Sequence, residues 1–268
     1  MLKNKIIKLP KRKPDSHKGN YGKALVIAGS SGMTGAAVLA SRGALRSGSG
    51  LVYLAVPKHL RDIVDSATPE VITLSFEETN KLKPTAIAIG PGLGQSRKAK
   101  RLVEKQIKKG IPLVLDADGL NNIAKQAKII AQATAPVIIT PHPGEMARLI
   151  KRDIAYIQSN RLSIAKRAAK EFKCIVVLKG SKSIVATPKG DIYIDKTGNS
   201  GMASGGVGDV LTGMITGFLA QNIKPFEAAK LAVYLHGLAG DLAAKNKGQY
   251  AMIASDLVEQ IPYAIQKL

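Results

Sequence analysis

Short apolar runs separated by longer stretches of helical spacing constrain this chain more than any other feature. "ALVIAG", "LVYLAV", "AIAIG", "PLVLDAD", "PVIITP" and "CIVVLKG" are rich in β-branched and aliphatic residues, and most end in Gly, Pro or Asp. Runs this short that stay apolar at consecutive positions suit strands buried on both faces, the condition of a parallel sheet. Between them, "GAAVLASRGALRSG", "SRKAKRLVEKQIKKG" and "SNRLSIAKRAAKEF" repeat apolar residues at helical intervals. Strand alternating with helix predicts a doubly wound α/β fold, a mostly parallel central sheet with helices on both faces. Two further β-rich runs, "SIVATP" and "GDIYID", have no helix between them and predict a hairpin turning at "PKGD" on one sheet edge. After them the chain reads as helical to its end.

No linker, repeat or low-complexity tract interrupts the pattern, so residues 1–268 are expected to form a single domain behind a short basic extension, 1–18. "MLKNKIIKLPKRKPD" has no apolar core of a signal peptide, and no apolar stretch reaches the length of a membrane span. The single cysteine, Cys174, lies in an apolar run and excludes a disulfide framework. A soluble, cytoplasmic protein with no membrane partner is the expectation. Forty Lys and Arg against nineteen Asp and Glu give a net charge of +21, which raises the question of an anionic partner. The basic residues are spread along the chain, apart from modest clusters at "KLPKRK" and "RKAKRLVEKQIKKG", and aromatics make up only 4%. Nucleic-acid modules focus their charge and supply stacking rings, so no nucleic-acid role is expected; the charge fits a phosphorylated small molecule.

In doubly wound sheets ligands bind beyond the carboxyl ends of the strands, where the residues with chemical potential fall. "GSSGMTGAA" follows the first strand and resembles a phosphate loop, yet it lacks both GK[ST] and GxGxxG and reads equally as a plain strand-to-helix connection. "GPGLG" removes side chains at Gly90, Gly92 and Gly94, where the chain must turn over something. In "LDADGLN", Asp116 and Asp118 suit a magnesium ion, a substrate hydroxyl or a helix cap; capping by Asp118 is the simplest account, with Asp118 and Asn121 kept as secondary site candidates. "TPHPGE" fixes His142 between prolines, as a ligand contact or an ordinary loop histidine, with Glu145 opening the next helix. "KGSKS" gathers Lys179, Gly180, Ser181, Lys182 and Ser183 at a turn that suits phosphate or ribose.

"TGNSGMASGGVGDVLTG", residues 197–213, concentrates glycine ahead of one acid, Asp209. Gly205, Gly206 and Gly208 at a helix start would leave bare amides and the positive end of the helix dipole as an anion hole. An acid among such donors is expected to be a weak base that strengthens when phosphate oxygens arrive beside it. A plain helix cap would not require three flanking glycines.

"GGVGDVLTG" resembles the GxGD signature of the ribokinase-like superfamily, whose kinases use this aspartate as base and the glycine amides as anion hole. The ordered set "GSSGMTGAAVLASRGALRSGSGLV", "GPGLG", "LDADGLN", "TPHPGE", "LKGSKS" and "GNSGMASGGVGDVLTG" resembles one branch more closely, the ADP- or ATP-dependent NAD(P)H-hydrate dehydratases. The resemblance implies a ribokinase-like fold and a hydro-lyase that restores NADH and NADPH from their hydrates, NADHX and NADPHX. It implies Asp209 as catalytic base; Ala36 or Ala37, the Gly92–Gly94 loop, His142 and Asp209 as hydrate contacts; and Lys179 to Ser183 with Gly208 as nucleotide contacts. Asn199 joins Glu145 among the secondary candidates. Magnesium with ADP or ATP as co-substrate is implied, its ligands unassigned, and so is a homo-oligomer, a tetramer by analogy. Vitamin kinases of the superfamily carry "TPNxxE"; His142 in place of that Asn argues against the alternative reading as a hydroxymethylpyrimidine or hydroxyethylthiazole kinase. Many family members fuse this domain behind an epimerase, and a chain of this length is expected to hold the dehydratase alone.

Overall fold

A computed structural model describes residues 6–268; the first five residues of the basic extension lie outside the described residues. Among the described residues nine strands form one sheet, in the order β3-β2-β1-β4-β5-β6-β7-β8-β9. Strands β1 (Lys23–Ile27), β2 (Leu51–Val56), β4 (Ala86–Ile89), β5 (Leu113–Leu115), β6 (Val137–Ile139) and β7 (Ile175–Leu178) match the six apolar runs and pair in parallel. Strands β8 (Ile184–Ala186) and β9 (Ile192–Ile194) are antiparallel, the hairpin expected at "PKGD". Strand β3 (Ile72–Ser75) was not among the expected runs. It is an edge strand with alternating exposure, so it has no continuous apolar run to betray it.

Successive strand residues feed two cores, one on each face. Ala24 and Val26 of β1 pack on one side, Leu25 and Ile27 on the other, and all four are fully buried. The first core takes helices α1 (Thr34–Arg46), α8 (Val207–Ala220), α9 (Pro225–Lys247) and α10 (Ala254–Ile265). The second takes α3 (Arg97–Ile107), α4 (Asp118–Ile123), α5 (Pro143–Ile150) and α7 (Arg161–Phe172). Short helices α2 (Arg61–Ala67) and α6 (Ile154–Ser159) complete the set. Among the described residues no helix is long and apolar enough to cross a membrane.

Two features place the site. The chain winds outward from β1 through β2 to β3, then returns to β4 on the other side of β1, so the strand order reverses between β1 and β4 and opens a crevice at their carboxyl ends. Helix α8 is then drawn close along α1 by missing side chains: a Cβ at Gly213 would fall 1.9 Å from the Ala40 carbonyl oxygen. That contact sets where the N-terminus of α8, and with it Asp209, emerges beside the crevice.

Candidate active site

The glycine-rich stretch ahead of α8 builds an uncapped helix start. Gly206 is the N-cap in the left-handed region (φ 86°), without a side-chain cap. A Cβ there would fall 2.3 Å from Leu39 Cδ1. The first intrahelical bond runs from Val210 N to Gly206 O at 3.2 Å, so the amides of Val207, Gly208 and Asp209 precede it and remain available. Gly205 and Gly208 are glycines for another reason: neither has a positive φ, nothing lies within 4 Å of a Cβ at Gly205, and a Cβ at Gly208 would only touch Lys179 Nζ at 3.4 Å. The protein itself does not require them, whereas a ligand approaching the backbone would. His236, buried in α9, is within hydrogen-bond distance of the Val207 carbonyl through Nε2 (2.9 Å), and burial pushes its pKa down to about 4. It buttresses this turn as a neutral ring.

Asp209 lies half-buried beside a charged cluster. Lys179 Nζ is 2.7 Å from Asp116 Oδ1 and 3.8 Å from Glu145 Oε2. Asp116 Oδ2 accepts from Thr212 Oγ1, one turn along α8, at 2.7 Å. Burial raises the pKa of Asp209 to about 7; neighbouring Asp116 adds to the rise, Lys179 opposes it, and Glu145 and Asp118 add further. The expectation of a weak base held down by amide donors is therefore corrected. No protein hydrogen bond to the Asp209 carboxylate is present among the described residues, so desolvation and like charge dominate. Burial also raises Glu145 against the pull of Lys179, while the pKa of Lys179 itself is raised because its carboxylates outweigh its burial.

Toward the β1–β4 crevice, the remaining candidates divide. Ala36 meets the "GPGLG" loop, since a Cβ at Gly92 would sit 3.0 Å from its Cβ. Ala37 does not reach the cleft: a helix turns successive side chains by about 100°, and this one is fully buried in the core. Asp118 does not cap α4, whose N-cap is Ala117; its carboxylate instead accepts from Gly94 N at 2.9 Å and from Asn121 Nδ2 at 3.2 Å. Ala117, with φ 47°, is strained for a residue bearing a Cβ, and the turn there sends Asp116 under α8 and Asp118 to the loop. Asn121 in turn accepts from Arg148 Nη1 at 2.9 Å.

His142 is the N-cap of α5: its Nδ1 accepts from Gly144 N at 3.0 Å, and Glu145 Oε2 accepts from His142 N at 2.8 Å. That bond leaves Nε2 as the protonated nitrogen, a donor on a half-exposed ring. Burial, with Lys179 and Arg148, lowers its pKa and keeps the ring neutral.

In "KGSKS", Lys179 turns its ammonium into the carboxylate cluster, while Ser181 and Lys182 are exposed and Ser183 Oγ donates to Gly180 O at 3.1 Å. Arg161 of α7 holds this turn from beneath, donating to the carbonyls of Leu178, Lys179, Ser181 and Lys182. Asn199 stands apart: it accepts from Gly201 N at 2.9 Å and donates to Asp241 Oδ1 at 3.0 Å, so its amide fastens a loop to α9. Sequence reasoning weighed Asp116 without keeping it as a site candidate, and missed Thr212, Arg148, Arg161 and His236 altogether. Asp116 had a local signal, its place at a strand end; the others are brought in only by packing.

Among the described residues no group of three or more His, Cys, Asp or Glu side chains is arranged to hold a metal ion. Asp116 is committed to Lys179 and Thr212. The donor set fits a magnesium ion that arrives on phosphate oxygens and keeps several waters, and it does not fit an all-protein cage.

The family model described as NAD(P)H-hydrate dehydratase matches residues 24–263. The bifunctional NAD(P)H-hydrate repair enzyme of Moorella thermoacetica is 43% identical over 97% of this chain and 52% of its own length. The ADP-dependent (S)-NAD(P)H-hydrate dehydratase of Bacillus subtilis is 37% identical over 95% of this chain and 92% of its own. The chain thus spans about half the length of the bifunctional relatives. A crystal structure of the ADP/ATP-dependent NAD(P)H-hydrate dehydratase of B. subtilis, grown with ATP and Mg2+, superposes with a TM-score of 0.88 at 35% identity, over 97% of this chain and 94% of that one.

Proposed function

Since the chain belongs to the NAD(P)H-hydrate dehydratase family, with its ribokinase-like fold, we propose that it removes water from NADHX and NADPHX at the expense of ADP or ATP. The observation that carries this reading is Asp209, a half-buried acid with a pKa of about 7, at a helix start whose amides are uncapped. Asp209 takes the proton from the C6 hydroxyl of the hydrated ring as that oxygen attacks the terminal phosphoryl group. The bond from that phosphorus to its bridging oxygen breaks, releasing AMP from ADP or ADP from ATP. Phosphate then departs from C6 with the bonding electrons, a proton is lost from C5, and the ring double bond returns. The amides near Gly206 and Gly208 receive charge developing on the phosphoryl oxygens, and in-line positioning supplies much of the rest.

In this reading Ala36, Gly92, Gly94 and His142 Nε2 hold the hydrate, and the "KGSKS" turn on its Arg161 support holds the nucleotide. Lys179 acts through Asp116 and Glu145 on the charge balance around Asp209. Glu145 would help hold a magnesium ion arriving with the nucleotide. When bound, that ion neutralises phosphate charge. Residues 1–268 act as one domain, a reading supported by the two cores that share a single sheet. A cytoplasmic homo-oligomer, a tetramer by analogy, completes the proposal; exposed Ile253 and Tyr263, just before and within α10, are candidates for its contacts.

The test mixes hydrate, magnesium and either nucleotide with the protein and follows the reappearing absorbance of reduced nicotinamide. Recovery is expected, together with release of inorganic phosphate. No recovery with either nucleotide would overturn the reading, and a stable phosphorylated product from a vitamin precursor would transfer it to the kinases.

A further inference from the structure

The basic cluster "KLPKRK" and much of the +21 charge find no use at Asp209. The cluster lies at the other end of the molecule. Residues 9–17 run as a strap over the ends of α1, α8 and α10 and roof a cavity of about 620 Å³. Helix α8 runs roughly 20 Å from Asp209 to this end, so the cavity is separate from the catalytic cleft. Its size falls within the usual range for small-molecule sites.

The charge of the cavity is one-sided. Lys11, Arg12, Lys13 and Arg46 line it against a single acid, Asp15. Helix carboxyl ends would ordinarily favour a cation, but here the nearby carbonyls already have donors. Arg12 donates to Gly48 O, and Gln221 Nε2 donates to both Ser47 O and Gly217 O at 2.9 Å. Arg12 also lies 3.9 Å over the Tyr21 ring, which docks the strap on the core. Arg46 is paired with Glu259 at 2.8 Å. Lys11 and Lys13 line the cavity, are exposed, and form no ion pair among the described residues, so both ammonium groups are free to meet an anion at its mouth. His17 Nδ1 accepts from Gly19 N at 3.1 Å, which leaves Nε2 as a further donor.

We propose that this cavity binds a small phosphorylated anion, at a site distinct from the nucleotide and hydrate sites. Two lysines supply point charges suited to phosphate, and the docked strap supplies the wall.

Equilibrium binding of labelled inorganic tripolyphosphate to the full chain tests this. The variant K11S/K13S should bind one tripolyphosphate fewer per chain than the wild type while keeping its dehydratase turnover. Lys11→Ser alone should weaken that site roughly tenfold, the loss of one charge-assisted contact. Gly48→Ala touches neither lysine but brings a Cβ to 2.9 Å from Arg12 Nη2, displacing the strap's anchor. It too should lose the site. Unchanged stoichiometry in K11S/K13S overturns the proposal. So does full binding in Gly48→Ala, because the lysines would then act as a loose surface cluster.

Discussion

At the N-terminal turn of α8, amides stay uncapped and Asp209 titrates near 7, whereas one turn further on the same helix lies so close to α1 that Gly213 has no room for a Cβ. At the far end Gln221 bridges Ser47 O and Gly217 O. One end of the helix is left unsatisfied and the other is closed. The contrast shows how a close-packed seam can hold a destabilised acid in place: packing along α1 fixes the helix, so the charged, uncapped turn need not fix itself.

The largest expected effect comes from removing the acid. Asp209→Asn should lower kcat by about 10²–10⁴-fold, the usual worth of a positioned base, as measured by recovery of reduced nicotinamide. For the wild type, kcat/KM should rise with pH through about 7 as the free acid ionises. Stability should show the opposite sign. With its folded pKa raised, Asp209 contributes stability that is full below the ordinary carboxylate pKa and is lost as pH rises to about 7. The variant should therefore gain on the wild type across that window and hold its advantage above it, read by denaturant unfolding at several pH values.

Gly213→Ala attacks the seam with α1. A Cβ 1.9 Å from Ala40 O forces the helices apart, and unfolding should show a loss of about 3 kcal/mol. Turnover per folded molecule should fall far less than in Asp209→Asn; an equal fall would break the division between the seam and the uncapped turn.

Asp116→Asn breaks the contacts to Lys179 and Thr212 that tie the uncapped turn to the sheet. Lys179 retains Glu145 at 3.8 Å, so the expected loss is about 2 kcal/mol, below that of a buried pair left with no partner. Because Asp116 helps raise Asp209, the midpoint of the pH–rate profile should move to lower pH. An unmoved midpoint would place the control of Asp209 in burial alone.

The smallest structural effect belongs to Gly205→Ala. With open space around its Cβ and no positive φ, stability should change by less than about 0.5 kcal/mol. Nucleotide KM should nonetheless rise roughly tenfold if phosphate needs the bare backbone. Unchanged KM would move the anion hole further into the helix.

Periodicity carried the parallel strands, the edge hairpin and the helical C-terminal region, because burial on both faces writes itself into consecutive apolar residues. It failed for β3, whose edge position lets polar residues alternate in. The glycines around Asp209 were equally legible, though only Gly206 answers a steric demand of the protein itself. Between Ala36 and Ala37 the sequence was silent, and of Asp116 and Asp118 it kept only Asp118. Helix phase and the strained turn at Ala117 made those choices.

The sequence by itself determined the order of elements, the acid at the head of α8 and the excess of positive charge, all of which are properties of neighbours along the chain. Only the tertiary structure decided how strongly Asp209 holds its proton, where Lys179 points and what the N-terminal strap encloses. Desolvation and Coulomb energy act through space, between groups such as Asp116 and Thr212 that stand 96 residues apart.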